Sequence, residues 1–145
     1  MSVEQNKAVA KKAIEAMVNN DWSMLDELYT SDFVIHFLGG YPTLDLNLEQ
    51  IKQAIGNAPA SFTEQKITIE DMIAEGDKVS IRTTVSGKHT GNFLGIEPTG
   101  KSSTAAQFTI YHIQDGKIAE MWNLFNNLGR LQQLGVIPPT EELGK

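Results

Sequence analysis

The stretch Gly116–Asn126, with the sequence GKIAEMWNLFN, decides the fold of this chain. It follows Asp115, and Asp-Gly is typical of β-hairpin turns because glycine accepts a positive φ. After the turn the residues alternate as in a strand. One face carries Ala119, Met121, Asn123 and Phe125, and the other carries Ile118, Glu120, Trp122 and Leu124. Both faces are largely apolar, which predicts a strand that is covered on both sides.

Asn123 is the polar exception on its face of this strand. A buried amide that lacks hydrogen-bond partners costs about 1–3 kcal/mol. Asn123 therefore either belongs to a satisfied structural network or lines a polar spot in an apolar pocket, and the sequence leaves both alternatives open.

The rest of the chain predicts an α+β fold. Apolar residues at three- and four-residue spacing, with polar caps, predict helices over 4–19, 22–29, 48–55 (ended by Gly56 and Pro59) and 128–134. Alternation between turn signals predicts strands over 33–37, 67–74, 78–88 and 103–113, with loops over 41–47 and 90–100. A long antiparallel sheet with helices on one face forms a curved, half-open cone, and a ligand would bind inside it.

Length and composition exclude several classes of function. The 145 residues predict one domain. A net charge of −6 argues against nucleic acid or an anionic membrane as a partner. The absence of cysteine excludes disulfides and thiolate chemistry. Residues 1–12 do not resemble a signal peptide and no stretch is apolar enough to span a membrane, so the expected compartment is the cytoplasm.

The loop 90–101, TGNFLGIEPTGK, resembles the G-x-F-L-G-I-x-P-T-G-[KR] signature of the SnoaL-like polyketide cyclases, or ester cyclases. The stretches 33–36, 75–82 and 115–135 are similar to that family too. The resemblance implies a nuclear transport factor 2-like α+β cone over residues 1–145. It also implies homo-oligomers, dimers or tetramers, that pack through the sheet. The implied reaction is an intramolecular aldol condensation of a polyketide ester without a metal or an organic cofactor.

The chain departs from the family at the position of its general acid and base. Family members carry W-D-x-x-D, whereas this chain has Trp122-Asn123-Leu124-Phe125-Asn126. An amide has no titratable proton at neutral pH, so Asn123 cannot shuttle one. It can still donate a hydrogen bond to a carbonyl or enolate oxygen. Asn126 directly precedes the last helix and is predicted to cap it.

Among the remaining titratable residues, His36 is the first candidate for the acid or base, because its ordinary pKa near 6.5 suits proton transfer. The alternative is a histidine at a strand end that bonds to the backbone. His89 lies between a strand and a loop, where it would face the mouth of the cone or fix the loop. The three histidines are widely spaced, so we expect no metal site.

The other candidates for substrate contacts each have a structural alternative. Arg82 would contact substrate or be a solvated or interfacial strand residue. Gln107 has the same ambiguity as Asn123, and the aromatic candidates would line the pocket or belong to the core. These are Tyr29, Phe33 and Trp122.

Three functional hypotheses follow. In the first, the protein binds a small, mostly apolar carbonyl compound and, if it is an enzyme, performs cofactor-free aldol or isomerase chemistry with His36 as acid or base and Asn123 as oxyanion donor. In the second, it binds such a molecule without turnover, since Asn123 replaces the acid. In the third, side chains fill the cone and the fold serves oligomerisation. A pocket in which His36 and Asn123 converge would separate the first two from the third.

Overall fold

The computed structural model describes residues 2–19, 21–57 and 60–145. The helices in these ranges are α1 (Val3–Val18), α2 (Leu25–Leu28), α3 (Leu48–Asn57) and α4 (Asn127–Gln133), with short 3-10 turns at Trp22–Met24 and Thr140–Glu142. The strands are β1 (Tyr29–Phe37), β2 (Leu44–Asn47), β3 (Phe62–Glu75), β4 (Lys78–His89), β5 (Ser102–Gln114) and β6 (Lys117–Phe125). The predicted α+β class is confirmed.

The described strands form one sheet in the order β2-β1-β6-β5-β4-β3. Each hairpin pair is antiparallel, but β1 pairs with β6 in parallel, so the sheet is mixed rather than antiparallel as predicted. The whole series of later strands separates β1 from β6 in the chain, so no hairpin sets their relative direction. The predicted hairpin at Asp115-Gly116 is present, and both residues have a positive φ, of 50° and 81°.

Several element boundaries differ from the sequence prediction. The predicted loop 41–47 contains β2, whose four residues pair with β1 and were too few to detect by alternation. The predicted helix 22–29 ends at Leu28, and β1 starts at Tyr29 instead of Phe33. Pro59, which was predicted to help end the third helix, lies outside the described residues.

One face of the sheet, which we call the inner face, packs against α1, and the opposite face is the outer face. On β6, Met121, Asn123 and Phe125 are buried on the inner face as predicted. Ile118 was predicted on the other face, but an irregularity in the register after it turns its side chain into the core, where it is 0% exposed. The outer face is not covered within this chain, since Leu124 is 49% exposed.

Two apolar clusters fill the inner face. The larger lies beneath α1, which is also tied to the β3–β4 turn because Asn6 Nδ2 donates a hydrogen bond to the Gly76 carbonyl at 3.2 Å. The smaller lies nearer the opposite ends of β4 and β5 and consists of Val85, Ala105 and Phe125. Among the described residues, no helix is long and apolar enough to cross a membrane.

The larger cluster predicts where the fold is sensitive to mutation. Ile81 on β4 is 1% exposed, so Ile81→Ala should lower the free energy of unfolding by about 2–5 kcal/mol through lost burial and a residual cavity. Ser86→Ala, on the outer face of the same strand, should change it by less than about 0.5 kcal/mol. Urea unfolding measures both. Equal losses for the two variants would contradict the assignment of faces.

Candidate functional site

Four polar side chains cross the inner face between the two apolar clusters, and we call them the polar belt. Thr83 on β4 lies opposite Gln107 on β5, and Thr109 on β5 lies opposite Asn123 on β6. The belt takes one inner-face position on β4, two successive positions on β5 and one on β6. The sequence predicted Asn123 and Gln107 as candidates, but missed the threonines, which are common in any strand.

The four side chains of the polar belt do not satisfy all of one another's hydrogen-bond donors and acceptors. Asn123 Nδ2 donates to Thr109 Oγ1 at 3.1 Å, and Gln107 Nε2 lies 3.4 Å from Thr83 Oγ1, which is long for such a bond. Asn123 is 8% exposed and its Oδ1 forms no hydrogen bond to the described part of the chain. The belt therefore retains donor and acceptor capacity for a bound molecule.

The belt consists of amides and hydroxyls and contains no group that titrates near neutral pH. The nearest phenol on the inner face is Tyr111, one step from Thr109 on β5, and burial raises the pKa of Tyr111 well above its usual value. Burial also raises the pKa of Tyr29 to about 12. The belt can thus supply hydrogen bonds to an oxygen but not ready proton transfer.

His36 lies on the outer face, so the expectation that it converges with Asn123 in one pocket is corrected. In the parallel pair of β1 and β6, His36 is opposite Trp122, and Asn123 is opposite Phe37. Because neighbouring strand residues point to opposite faces, this register separates His36 from Asn123. Counting residues within each strand could not show how the two strands align.

His36 is instead the centre of an ion-pair cluster. Its Nδ1 lies 2.7 Å from Asp45 Oδ1, its Nε2 lies 2.6 Å from Glu120 Oε2, and its ring stacks on Trp122 with centroids 5.6 Å apart. Hydrogen bonds to Glu120 and Asp45 raise the pKa of His36 above its ordinary value. The cluster joins β2, β1 and β6 across the outer face.

The other predicted substrate residues are dispersed. Arg82 lies on the outer face with its Nε 2.6 Å from Asp71 Oδ2, and Trp122 lies on that face beside His36. Phe33 is 1% exposed and packs in the larger apolar cluster, with Tyr29 against it at 4.7 Å between ring centroids. None of these residues contributes to the polar belt.

His89 lies at the end of the inner face that is far from the β3–β4 turn, and it is completely buried. Its Nδ1 accepts a hydrogen bond from the Thr99 backbone N–H at 3.1 Å, so the ring proton of the neutral form is on Nε2. That Nε2 has no partner among the described residues. His89 thus fixes the loop 90–101 through Thr99, which was one of its two predicted roles.

A cluster that sequence reasoning missed lies beside His89. The Arg130 guanidinium carbon is 4.1 Å from the ring centroid of Phe62, 5.2 Å from that of Phe93 and 3.8 Å from that of Phe125. We call these four residues the mouth cluster. Burial lowers the pKa of Arg130 to about 10, so the guanidinium stays charged at neutral pH. The rings come from three distant parts of the chain, so no local spacing could reveal them.

A groove of about 630 Å³ lies on the outer face beside α4, apart from the belt. Its lining includes Leu38, Phe108, Leu124 and Leu128, together with Asn126 and Asn127. Asn126 Oδ1 accepts a hydrogen bond from the Gly129 N–H at 3.0 Å, which confirms the predicted helix cap. The groove is therefore an alternative place for a ligand.

The His36 cluster predicts a pH dependence of stability. Because the folded-state pKa of His36 is raised, its contribution should be fully present below the ordinary pKa near 6.5 and lost as the pH rises through the folded-state value. Thermal unfolding across this range should show the wild type losing stability relative to His36→Gln. The same pH profile in both proteins would exclude this role for His36.

The belt predicts a coupled pair of mutations. Thr109→Val should lower the free energy of unfolding by about 1–3 kcal/mol, because it leaves the buried Asn123 amide without its acceptor. Adding Asn123→Leu should recover part of that loss, since replacing both partners by apolar groups removes the unpaired group. A double-mutant cycle measured by urea unfolding tests this. Simple additivity of the two single losses would argue against the bond.

Comparison with known proteins agrees with this architecture. The model of the SnoaL-like polyketide cyclases matches residues 7–134. The nogalonic acid methyl ester cyclase of Streptomyces nogalater is 32% identical over 91 residues, which are 62% of this chain and 68% of that protein. The aklanonic acid methyl ester cyclase DnrD of Streptomyces peucetius is 34% identical over 67 residues, and this match spans only 46% of either protein.

Solved structures show the same cone. Wild-type IdmH from Streptomyces antibioticus has a TM-score of 0.77 and 30% identity, covering 91% of this chain and 99% of that one. AclR from Streptomyces galilaeus has a TM-score of 0.81 over 98% of this chain and 92% of its own, but at 23% identity it supports the fold alone. Since the family model extends from α1 to the end of α4, this chain belongs to the SnoaL-like polyketide cyclase family.

Proposed function

We propose that this protein binds a small, mostly apolar, carbonyl-bearing molecule of polyketide type on the inner face of its cone, with Asn123 as a hydrogen-bond donor to the carbonyl oxygen. The observation that carries the proposal is the incompletely bonded polar belt between two apolar clusters. Ligand sites are typically apolar surfaces with a few convergent polar groups. The proposed binding needs no metal or organic cofactor.

The bonding of Asn123 favours a particular ligand chemistry. One N–H of its amide is used by Thr109, so the second N–H is available to a carbonyl oxygen. Its Oδ1, which has no described partner, suits a hydroxyl or enol group. A molecule with neighbouring carbonyl and hydroxyl or enol groups would satisfy both, and polyketides have this pattern. The names of the curated relatives, which are ester cyclases, point to the same substrate class.

The belt favours binding without turnover over catalysis by this chain. Its described residues offer no carboxylate or imidazole for proton transfer, and His36 lies on the opposite face. A second candidate function, aldol cyclisation or isomerisation, is favoured by the activities named for the relatives. In that case the proton would have to be carried by another group, such as bound water or the substrate.

We also propose that the protein is a homo-oligomer that associates through the outer face of the sheet. Four apolar side chains are exposed there, and an apolar surface of this kind commonly marks an interface. They are Ile73 (69%), Phe108 (52%), Ile110 (41%) and Leu124 (49%). The cytoplasm stays the predicted compartment.

The test measures the binding of a panel of polyketide-type methyl esters to three proteins, and any product formed. The proteins are the wild type, Asn123→Asp and Asn123→Leu. We expect ligand to stabilise the wild type and Asn123→Asp in thermal-shift assays, by about 2.7 kcal/mol at 100 times the Kd. Asn123→Leu removes the donor and should bind at least about tenfold more weakly. Mass spectrometry should detect product only with Asn123→Asp, which regains a carboxylate.

Two outcomes would change the conclusion. Product from the wild type would establish the second candidate function and show that another group carries the proton. Equal stabilisation of the wild type and Asn123→Leu would remove the amide from the binding site, and the absence of any shift would contradict the proposed binding.

A further inference from the structure

Arg130 is a partly buried cation without an anionic partner. The chain has two arginines, and the other, Arg82, is paired with Asp71 at 2.6 Å. All 18 acidic residues lie within the described ranges, and none of them forms an ion pair with Arg130. An unpaired arginine in a half-buried position is unusual in a chain with a net charge of −6, because acids are in excess.

The three phenyl rings hold the Arg130 guanidinium in place but provide no hydrogen-bond acceptor for its N–H groups. Ring faces attract a cation, and the centroids lie 3.8–5.2 Å from the guanidinium carbon, yet they offer no oxygen acceptor. Arg130 Nε is buried without a hydrogen-bond partner among the described residues. The terminal nitrogens likewise donate no hydrogen bond to the described residues. The mouth cluster therefore fixes the orientation of the guanidinium, and its terminal donors have no acceptor within residues 2–19, 21–57 and 60–145.

A second donor without an acceptor, His89 Nε2, lies in the same region. Phe62 stacks on the His89 ring, with centroids 5.3 Å apart, as well as on Arg130. The His89 Nε2 proton, assigned from the bond that Nδ1 accepts, has no described acceptor. Two buried nitrogens around Phe62, Arg130 Nε and His89 Nε2, thus lack an acceptor among the described residues, and an anionic oxygen group nearby would offset this excess of positive charge and donors.

The mouth cluster is continuous with the polar belt. Phe125, whose ring lies under Arg130, follows Asn123 by two residues on the same face of β6. Two residues along a strand correspond to about 7 Å. A planar molecule of two or three fused rings would therefore place a carbonyl at Asn123 and a substituent at the guanidinium.

We propose that Arg130 and its three phenyl rings form a subsite for a carboxylate, so that the ligand is the free acid of a polycyclic carbonyl compound rather than its neutral ester. This inference rests on the proposed function, because Asn123 binds the carbonyl end of the same molecule. It distinguishes this chain from its curated relatives, which are named for methyl esters. The guanidinium would donate two hydrogen bonds to the carboxylate in a bidentate, charge-assisted pair.

The experiment measures the Kd of anthraquinone-2-carboxylate and of its methyl ester by calorimetry at neutral pH. The proteins are the wild type, Arg130→Met, Arg130→Lys and, as a charge-matched control, Lys12→Gln on the exposed face of α1. The wild type and the control should bind the acid about 10- to 100-fold more tightly than the ester. Arg130→Met should weaken acid binding far more than ester binding and so remove most of the difference, and Arg130→Lys should retain part of it.

Salt provides a readout that does not depend on the folding of a variant. In the wild type, acid binding should weaken between low salt and about 0.5 M salt, whereas ester binding should not. Equal affinity for acid and ester, or an equal loss of both in Arg130→Met, would overturn the inference and limit Arg130 to packing, while the proposed function stands. If neither probe binds the wild type, the proposed function fails and the inference fails with it.

Discussion

The central position of β6 constrains everything else in this structure. It is hydrogen-bonded in parallel to β1 on one side and antiparallel to β5 on the other, so each of its side chains points either toward α1 or away from it. The inner face receives Met121, Asn123 and Phe125, and the outer face receives Glu120 and Trp122. That division separates an apolar interior with a polar belt from an outer surface with charged and aromatic residues.

The two faces have different chemistry as a consequence. On the outer face, His36 finds two carboxylates and forms a pH-dependent tie between three strands. On the inner face, Asn123 finds a hydroxyl and keeps its oxygen unpaired within the described chain. The inner face can therefore form hydrogen bonds with a neutral polar group of a ligand. His36, which can titrate, lies on the outer face and is bonded to two carboxylates there. The family resemblance in sequence does not by itself preserve the chemistry of an aspartate at position 123.

Much of the fold could be predicted from the sequence, because the signals are local. The turn at Asp115-Gly116, the long alternating strands and the cap at Asn126 each depend on a few neighbouring residues. The position of Asn123 on a buried face was likewise set by alternation within one strand. The strand β2 was not predicted, because its four residues are too few to show the alternation of a strand.

The rest of the site depends on register and on distant contacts. Whether His36 faces Asn123 is decided by the alignment of β1 with β6, which two separate patterns cannot specify. The position of Arg130 is decided by rings at Phe62, Phe93 and Phe125, which only the folded chain brings together. The ion pair of Arg82 has the same origin, since its partner Asp71 comes from the neighbouring strand.

The most direct test of the account is the NMR signal of the Asn123 side-chain amide during titration with the methyl ester of anthraquinone-2-carboxylic acid. The signal is assigned by its loss in the Asn123→Asp variant. If the ligand binds at the polar belt, this amide should shift while the Asn126 amide, which lines the outer groove, stays in place. A shift of the Asn126 amide with the Asn123 amide unchanged would move the ligand to the outer face and contradict the account.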